Sequence, residues 1–321
     1  MTLLAATGDG LALLEEDDGR WRVTPALEGS GAQCVAVDPG DPETALAGCR
    51  GGGAHVSEDG CRTWRDAGLP APDVFSVAIS AADDAFYAGC EPSMLFRSDD
   101  RGRTWRELSA LREIPSAPTW SFPPRPWTSH VRWIAPSPHD AGLLLAGIEL
   151  GGLMRSEDGG ETWSDHRPGA QRDVHALAWH PAEPGRGYEA GGGGAAWSSD
   201  GGLTWEPADD GRDRHYTWAL AVDPDEPDRW YVSASTGPFA AHGRGHAEAR
   251  VYRWEGEGPW KPLDGGLEQP LGSMAYALLA AGGRLFLGLA NGTLFESDDR
   301  GDAWTSLELD RPLARVIALA G

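Results

Sequence analysis

The stretch SEDGGETW, residues 156–163, joins a serine and an acidic pair to two glycines and ends in Thr-Trp. Near-copies occur at four other places: SEDGCRTW (57–64), SDDRGRTW (98–105), SSDGGLTW (198–205) and SDDRGDAW (297–304). In tight turns, Ser and Asp side chains accept hydrogen bonds from nearby backbone N–H groups, and Gly supplies a positive φ. The closing Trp can bury a large apolar surface. We therefore predict that these octets are structural turns and do not carry the chemistry.

The tryptophans that close the octets recur at a nearly constant spacing, and two weaker copies, DDGRWRV (17–23) and EGEGPWKP (255–262), extend the series. The full series is Trp21, Trp64, Trp105, Trp163, Trp205, Trp260 and Trp304. Four of its six steps span 41 to 44 residues, and the other two span 55 and 58. Within each step, short apolar runs separated by turn residues predict four strands. A four-stranded unit of about 40–45 residues is the period of a propeller blade.

The sequence therefore predicts an all-β fold, a seven-bladed β-propeller that forms one domain over residues 1–321. The first unit lacks its first strand, whereas the C-terminal run RVIALA (315–320) is left over. We predict that this run completes the first blade and closes the ring, which removes the exposed sheet edges between the two ends. The predicted blades are 1–30 with 312–321, 31–71, 72–112, 127–169, 170–210, 211–265 and 266–311, with an insertion at 107–130.

The octets resemble the Asp-box, or BNR, repeat (Ser-x-Asp-x-Gly-x-Thr-Trp) of sialidases, other glycoside hydrolases, sortilin-type receptors and the photosystem II assembly factor. The resemblance spans nearly the whole chain and implies a propeller of the broad sialidase-like and WD40/YVTN-like kind. It also implies that the octets lie between the third and fourth strands, on the face away from the site. Two copies depart from the pattern, because Cys61 stands where Gly is expected and Ala303 where Thr is expected.

The sialidase activity itself is not carried over by this resemblance. Sialidases have a Phe/Tyr-Arg-Ile-Pro motif near the N-terminus, whereas REIP (112–115) contains Glu113 and lies after the third unit. Arginines such as Arg315 could clamp a carboxylate, and Tyr276 could pair with a glutamate, but no motif matches these positions to the family. A sialidase assignment would rest on the fold alone.

Composition restricts the partners. The formal net charge is -22, and the basic residues are almost all arginines. Such a surface repels phosphate backbones and anionic lipid, so we predict neither nucleic acid nor membrane as a partner. The N-terminus has no signal-peptide pattern, and the four cysteines show no CxxC spacing. These features favour a cytoplasmic protein with free thiols, and we expect a monomer.

A propeller binds at the mouth of its central channel, where the loops between blades and between second and third strands meet. Two such loops are long. The insertion carries aromatic and basic side chains that suit stacking on a flat or sugar-like ligand and pairing with a carboxylate. The predicted ligand-binding residues are Arg50, Trp120, Arg125, Trp127, Arg132, Trp218, Tyr276 and Arg315. The alternative for the insertion is a proline-stiffened cover over an apolar seam.

The second long loop, STGPFAAHGRGHAEAR (235–250), holds His242, His246 and Glu248 at a spacing compatible with metal ligation. Because such spacing in a Gly-rich loop is weak evidence, we favour a mobile lid near the channel mouth for this loop. We predict no cofactor, and a divalent metal enters only as a weak alternative at these three residues. The Gly-rich run GGGG (191–194) has no helix after it, so its glycines predict room for a close neighbour rather than a phosphate cradle.

Two functions remain open. The first is a non-catalytic binding protein whose mouth holds a small molecule, a glycan or a partner peptide. The second is an enzyme at the same mouth, a glycosidase-like hydrolase or a lyase, with carboxylates and histidines as acid and base. The residues for that chemistry are Glu91, Glu149, Asp173, His130, His175 and His215. Because the chain has no nucleophile or phosphate-binding motif, the binding protein is favoured.

Overall fold

The described residues, 1–122, 128–243 and 245–321 of the computed structural model, form seven antiparallel sheets that stand as blades around a ring. The prediction of an all-β, seven-bladed propeller is confirmed. Blade 1 runs from its inner to its outer strand as Ala318–Ala320, Thr2–Ala6, Leu11–Asp17 and Arg20–Ala26. Blade 2 contains Ala32–Val37, Thr44–Cys49, Gly53–Glu58 and Arg65–Asp66. Blade 3 contains Val74–Ile79, Phe86–Cys90, Leu95–Ser98 and Arg106–Glu107.

The remaining blades repeat the same order. Blade 4 contains Val131–Pro136, Leu144–Ile148 and Gly152–Ser156. Blade 5 contains Val174–Trp179, Gly187–Gly191, Gly194–Ser198 and Glu206–Pro207. Blade 6 contains Tyr216–Val222, Arg229–Ser235, Arg250–Glu255 and Lys261–Pro262. Blade 7 contains Ala275–Ala281, Arg284–Leu289, Leu294–Ser297 and Thr305–Ser306.

Blade 4 differs from the predicted four strands, because among the described residues its outer strand is reduced to one bridge between Arg155 and Ser164. The segment that follows still bonds to the third strand, because the Arg167 N–H donates to the Leu153 carbonyl oxygen at 3.0 Å. It also contacts the insertion, where the Asp165 carboxylate accepts a hydrogen bond from the Ser116 backbone N–H at 3.1 Å.

The C-terminal strand closes the ring as predicted. Ala318–Ala320 pairs antiparallel with Thr2–Ala6, so the two ends of the chain share one sheet. This closing strand also contacts the inner strands of its two neighbours, Ala32–Val37 and Ala275–Ala281. The inner edge of blade 1 is therefore supplied by the last residues of the chain.

Glycines on the second strands fix how closely neighbouring blades pack. Each one faces a valine that precedes or begins the inner strand of the next blade, and a Cβ atom added to the glycine would lie 2.4 to 2.7 Å from a valine methyl carbon. The pairs are Gly48 with Val74, Gly89 with Val131, Gly147 with Val174, and Gly288 with Val316. Because protein interiors are close-packed, any larger side chain would push the blades apart.

The octets form turns between the third and fourth strands, held by their own side chains. In the copy at 156–163, Ser156 Oγ accepts from the Gly160 N–H at 2.8 Å and donates to Asp158 Oδ1 at 2.8 Å. The Thr162 hydroxyl donates to Asp158 Oδ2 at 2.6 Å. These bonds lower the pKa of Asp158, the Thr162 hydroxyl being the main cause.

The two departures from the octet pattern keep most of this network. Cys61 adopts a φ of 67° and still donates its N–H to Ser57 Oγ at 3.0 Å. Ala303 donates its N–H to Asp299 at 2.8 Å, but it has no hydroxyl for the second carboxylate oxygen. The predicted structural role of the octets therefore rests on bonds within each turn.

Helices are few and short. The insertion begins with two 3-10 turns, Ser109–Glu113 and Ala117–Thr119, and the loop of blade 6 contains the α-helical turn Pro238–Ala241. No helix within the described residues is both long enough and apolar enough to cross a membrane.

Candidate functional site

In six blades the inner strand has a β-bulge near its start. The residue at the bulge is extra and has no direct partner on the second strand. In blade 4, for example, Val131 pairs with Ile148 and Trp133 pairs with Gly147, so Arg132 between them is extra. The first residue of each bulge is Gln33, Phe75, Arg132, His175, Trp218 or Tyr276. Bulges commonly re-aim side chains at functional positions. Here five of the six line one central cavity.

That cavity has a volume of about 500 Å³. Besides the bulged residues, its lining includes Arg50 and Glu149 from the turns between second and third strands, Phe122, His242 and Arg315. No octet residue lines it. The cavity and the octets are thus contributed by different loops, as the sequence predicts.

His130 lies beside the cavity between two carboxylates. Its side chain is fully buried and stacks on Phe75 at a ring separation of 4.0 Å. Its Nε2 is 2.5 Å from Glu149 Oε2, and its Nδ1 is 3.6 Å from Glu91 Oε2. The Thr128 hydroxyl donates to the other oxygen of Glu91 at 2.6 Å. The histidine therefore links two carboxylates contributed by neighbouring blades.

Arg132 brings a positive charge next to Glu149. Its Nε lies 3.7 Å from Glu149 Oε2, and its guanidinium sits 4.8 Å from the centre of the Trp218 ring. Burial alone would raise the pKa of Glu149, but the hydrogen bond with His130 and the charge of Arg132 outweigh it and lower the pKa to about 2. Glu149 is accordingly an ionised carboxylate in the cavity wall.

Asp173 and His175 adjoin Glu149 from blade 5. His175 Nδ1 donates to the Thr217 carbonyl oxygen at 2.6 Å, and its Nε2 is 3.4 Å from Asp173 Oδ2. One ligand atom each from Glu149, Asp173 and His175 lie within 4.8 Å of one another. Glycine is required beside them, because a Cβ atom at Gly192 would lie 2.0 Å from Asp173 Oδ2. The prediction that this Gly-rich run gives room to a close neighbour agrees with that contact.

Two tyrosines and a histidine form a hydrogen-bonded group next to His175, whose ring lies 4.8 Å from that of Tyr216. His242 is hydrogen-bonded through Nε2 to the Tyr216 hydroxyl at 3.0 Å and through Nδ1 to the Tyr276 hydroxyl at 2.8 Å. Trp218 packs against the His242 ring at 4.8 Å. Burial is the main cause that raises the pKa of Tyr216, so this hydroxyl stays protonated.

The structure brings most of the sequence-predicted residues together. Those that line the cavity are Arg50, Arg132, Glu149, Trp218, His242, Tyr276 and Arg315. Those directly beside it are Glu91, His130, Asp173 and His175. Arg125 and Trp127 lie outside the described residues.

Other predicted residues lie elsewhere. Trp120 is buried in an apolar cluster with Leu111 and Val131, and its Nε1 donates to Ser116 Oγ at 3.1 Å. His215, His246 and Glu248 are exposed and are not part of the cavity lining. The three weak metal candidates of this loop, His242, His246 and Glu248, do not form a metal-capable group in the described part of the chain, and His242 is bonded to Tyr216 and Tyr276 instead. Among the described residues, the grouped metal-capable side chains are Glu149, Asp173 and His175.

The described part of the insertion contributes both to an apolar seam and to the cavity, and ligand recognition by it stays a prediction. Its first half, with Leu111, Ile114 and Trp120 buried, covers an apolar seam. Its second half brings Phe122 into the cavity lining and places Thr128 on Glu91. The sequence analysis does not predict Gln33 and Phe75 as lining residues, or Tyr216 as a partner of His242. Their common position at the start of each inner strand is the signal that could have identified them.

The fold defines the protein as a seven-bladed β-propeller. No protein-family model matches the chain, and no curated protein matches it. Among solved structures, a GH74 xyloglucanase from Xanthomonas campestris has a TM-score of 0.68 and 18% identity to this chain. The matched region covers 96% of this chain and 47% of the xyloglucanase chain. A GH74 enzyme from Niastella koreensis has a TM-score of 0.62 and 14% identity, covering 99% and 66%.

A YCF48 structure bound to D1 peptide has a TM-score of 0.59 and 18% identity, covering 86% of this chain and 80% of its own. The chain thus spans about half the length of the Xanthomonas enzyme and most of the length of YCF48. At these identities the likeness shows the fold alone.

Proposed function

We propose that the protein is an Asp-box propeller that binds a small carboxylate-bearing ligand, an acidic sugar or the end of a peptide, at the mouth of its channel. The observation that carries the proposal is the convergence of Arg50, Arg132 and Arg315 on one cavity. These arginines come from three different blades of a chain whose formal net charge is -22.

Two of the arginines are available for a ligand. Arg50 and Arg315 are exposed, and the described residues place neither of them in an ion pair, whereas Arg132 already pairs with Glu149. A guanidinium binds a carboxylate through two parallel hydrogen bonds. An unpaired arginine at a concave site is therefore a specific place for an anion.

Aromatic side chains supply the rest of the ligand's surroundings. Phe75, Trp218 and Tyr276 line the cavity, and their faces suit a sugar ring or another flat group. The names of two structural neighbours point to a ligand. YCF48 is bound to a peptide, and the xyloglucanase is named for the polysaccharide xyloglucan. They support a polar ligand of moderate size without selecting between the two.

The test is calorimetric titration with glucuronate, with glucose as its neutral counterpart, and with a short peptide as free acid and as amide. We expect at least one acid to bind and its neutral counterpart to bind more weakly. Arg50→Gln and Arg315→Gln should each weaken binding about 10-fold or more, because a hydrogen bond to a charged group is worth about 1.5–3 kcal/mol.

The matched control is Arg311→Gln, since Arg311 is exposed in the same C-terminal segment but does not line the cavity. This variant should bind as the parent does, and all three variants should keep its melting temperature. Equal affinity for acids and neutral counterparts, or no effect of the Arg50 and Arg315 substitutions, would contradict the proposal.

A second candidate function is glycoside hydrolysis at the same mouth. It is favoured by the nearness of Glu149 to Asp173 and His175, with their ligand atoms within 4.8 Å, because hydrolysis of a glycosidic bond uses two neighbouring carboxyl groups. A panel of aryl glycosides tests it. Turnover that Glu149→Gln abolishes would support this function, and no turnover above background would exclude it for those substrates.

We also propose the cytoplasm as the compartment. Cys34, Cys49, Cys61 and Cys90 are all free thiols, which suits a reducing environment. Burial raises the pKa of Cys61 to about 11 and that of Cys90 to about 12, so these thiols resist ionisation.

A further inference from the structure

We infer that Glu149, Asp173 and His175 form a binding site for one divalent transition-metal ion at the wall of the channel. Metal binding is measured without any organic ligand, so this inference is independent of the proposed function. The first observation is that one potential ligand atom from each of these three residues lies within 4.8 Å of the other two.

His175 has the environment of a metal-binding imidazole. Its side chain is fully buried, and Nδ1 is held 2.6 Å from the Thr217 carbonyl oxygen, to which it donates its proton. That bond fixes the tautomer in which Nε2 carries a lone pair, as in most histidine ligands of metals. Within the described part of the chain, Nε2 is buried and makes no hydrogen bond. A buried nitrogen without a partner is costly unless something binds it.

Asp173 also has a buried oxygen atom without a partner in the described part of the chain. Its Oδ1 is buried and also lacks a hydrogen-bond partner among the described residues. Its Oδ2 is 3.4 Å from His175 Nε2. Two ligands about 2.0–2.1 Å from a tetrahedral zinc ion are about 3.3–3.4 Å apart, so this pair already has the separation of one tetrahedral edge.

The backbone keeps the carboxylate in that position. Gly192 donates its N–H to the Asp173 carbonyl oxygen at 2.8 Å, and a Cβ atom at Gly192 would lie 2.0 Å from Asp173 Oδ2. Any residue other than glycine would displace the carboxylate. The second strand of blade 5 therefore ends in a turn that holds Asp173 beside His175.

The donor set defines the kind of ion. One imidazole and two carboxylates suit Zn²⁺, Co²⁺ or Mn²⁺, whereas Mg²⁺ and Ca²⁺ prefer oxygen ligands alone. Glu149 also contacts His130 and Arg132, whereas Asp173 and His175 face each other with Nε2 of His175 left without a hydrogen bond among the described residues. Three protein ligands also leave a coordination position open to water or a ligand.

The experiment titrates the metal-free full chain with Co²⁺ and follows the visible d–d absorption, with metal analysis after dialysis. We expect one Co²⁺ per chain, displaced by Zn²⁺, and an increase in melting temperature that Mg²⁺ and Ca²⁺ do not produce. His175→Gln and Asp173→Asn should weaken Co²⁺ binding about 100-fold or more.

Two further variants separate ligation from folding. Gly192→Ala keeps every donor atom but displaces Asp173, so it should also weaken Co²⁺ binding and change the absorption spectrum. His215→Asn removes an exposed histidine outside the cavity and should bind Co²⁺ as the parent does. The inference is overturned if the parent chain shows no saturable Co²⁺ binding, or if His175→Gln and Asp173→Asn bind Co²⁺ as tightly as the parent.

Discussion

At the scale of single residues, Glu189 places a carboxyl group inside the propeller whose Oε1 is buried and has no hydrogen-bond partner among the described residues. It pairs across the sheet with Leu177 and Ala196, which belong to an apolar cluster between blades 4 and 5. Its side chain is fully buried, and Oε2 accepts from the Gln171 N–H at 2.9 Å. Burial raises the pKa of Glu189 to about 8.

This raised pKa predicts that stability falls as pH rises. The unfolded chain releases the Glu189 proton near its ordinary pKa of about 4.3, whereas the folded chain keeps the proton until about pH 8. The folded state therefore binds more protons between these values, and the free energy of unfolding decreases with rising pH there, by up to about 5 kcal/mol in total. Glu189→Gln should remove this part of the pH dependence.

Urea unfolding at pH 5, 6.5 and 8 gives the free energy of unfolding of the parent and of the Glu189→Gln variant. The difference between the two at each pH measures the contribution of Glu189. The control is Glu206→Gln, because Glu206 lies on the outer strand of the same blade and is exposed. A parent and a Glu189→Gln variant whose stabilities change in parallel over this range would contradict the prediction.

At the scale of elements, the contact between a glycine of one blade and a valine of the next sets the spacing of the sheets. Gly288 and Val316 make this contact where blade 7 meets the closing strand, and a Cβ atom at Gly288 would lie 2.4 Å from a Val316 methyl carbon. Gly288→Ala should lower the free energy of unfolding by about 1–3 kcal/mol, as overpacking does. Denaturant unfolding of the parent and of the Gly288→Ala variant measures this difference in the free energy of unfolding.

A second substitution tests the assigned cause. Because Val316→Ala removes the clashing methyl groups, the double variant should lose less stability than the sum of the two single variants. Gly237→Ala is the control, since Gly237 has extended backbone and nothing within 4 Å of the added carbon. Additive losses, or an equal loss at Gly237, would show that the contact does not set the spacing.

At the scale of the whole molecule, stability depends on the ring being closed. Ala318–Ala320 pairs with Thr2–Ala6 and lies between the inner strands of blades 2 and 7. Deleting residues 316–321 would expose the edge of Thr2–Ala6 and remove Val316 from an apolar cluster. We expect a melting temperature lower by about 10 °C or more and concentration-dependent association through the exposed edge.

Deletion of Gly321 alone is the control for this truncation, because that residue is exposed and follows the closing strand. It should leave melting and association unchanged. If the longer deletion also melts as the full chain does and stays monodisperse in light scattering, closure contributes little to stability.

The sequence alone determined the architecture. Octets that satisfy their own turn bonds and tryptophans at a nearly constant spacing are local features, so the blades, their order and the closing run could be counted without coordinates. It also named several of the cavity residues, such as Arg50, Arg132 and Glu149, because equivalent loops of a ring meet at its centre.

Only the tertiary structure decided which of these side chains touch. Glu149 lies next to His130 and His175, although they are 19 and 26 residues away along the chain, because the ring places consecutive blades side by side. The bulges at Phe75 and His175 arise from pairing with the second strand, so the position in the strand can be predicted from the sequence but the bulge itself cannot. Trp120 and Tyr216 show the same limit, since packing between distant segments placed one in the core and the other against His242.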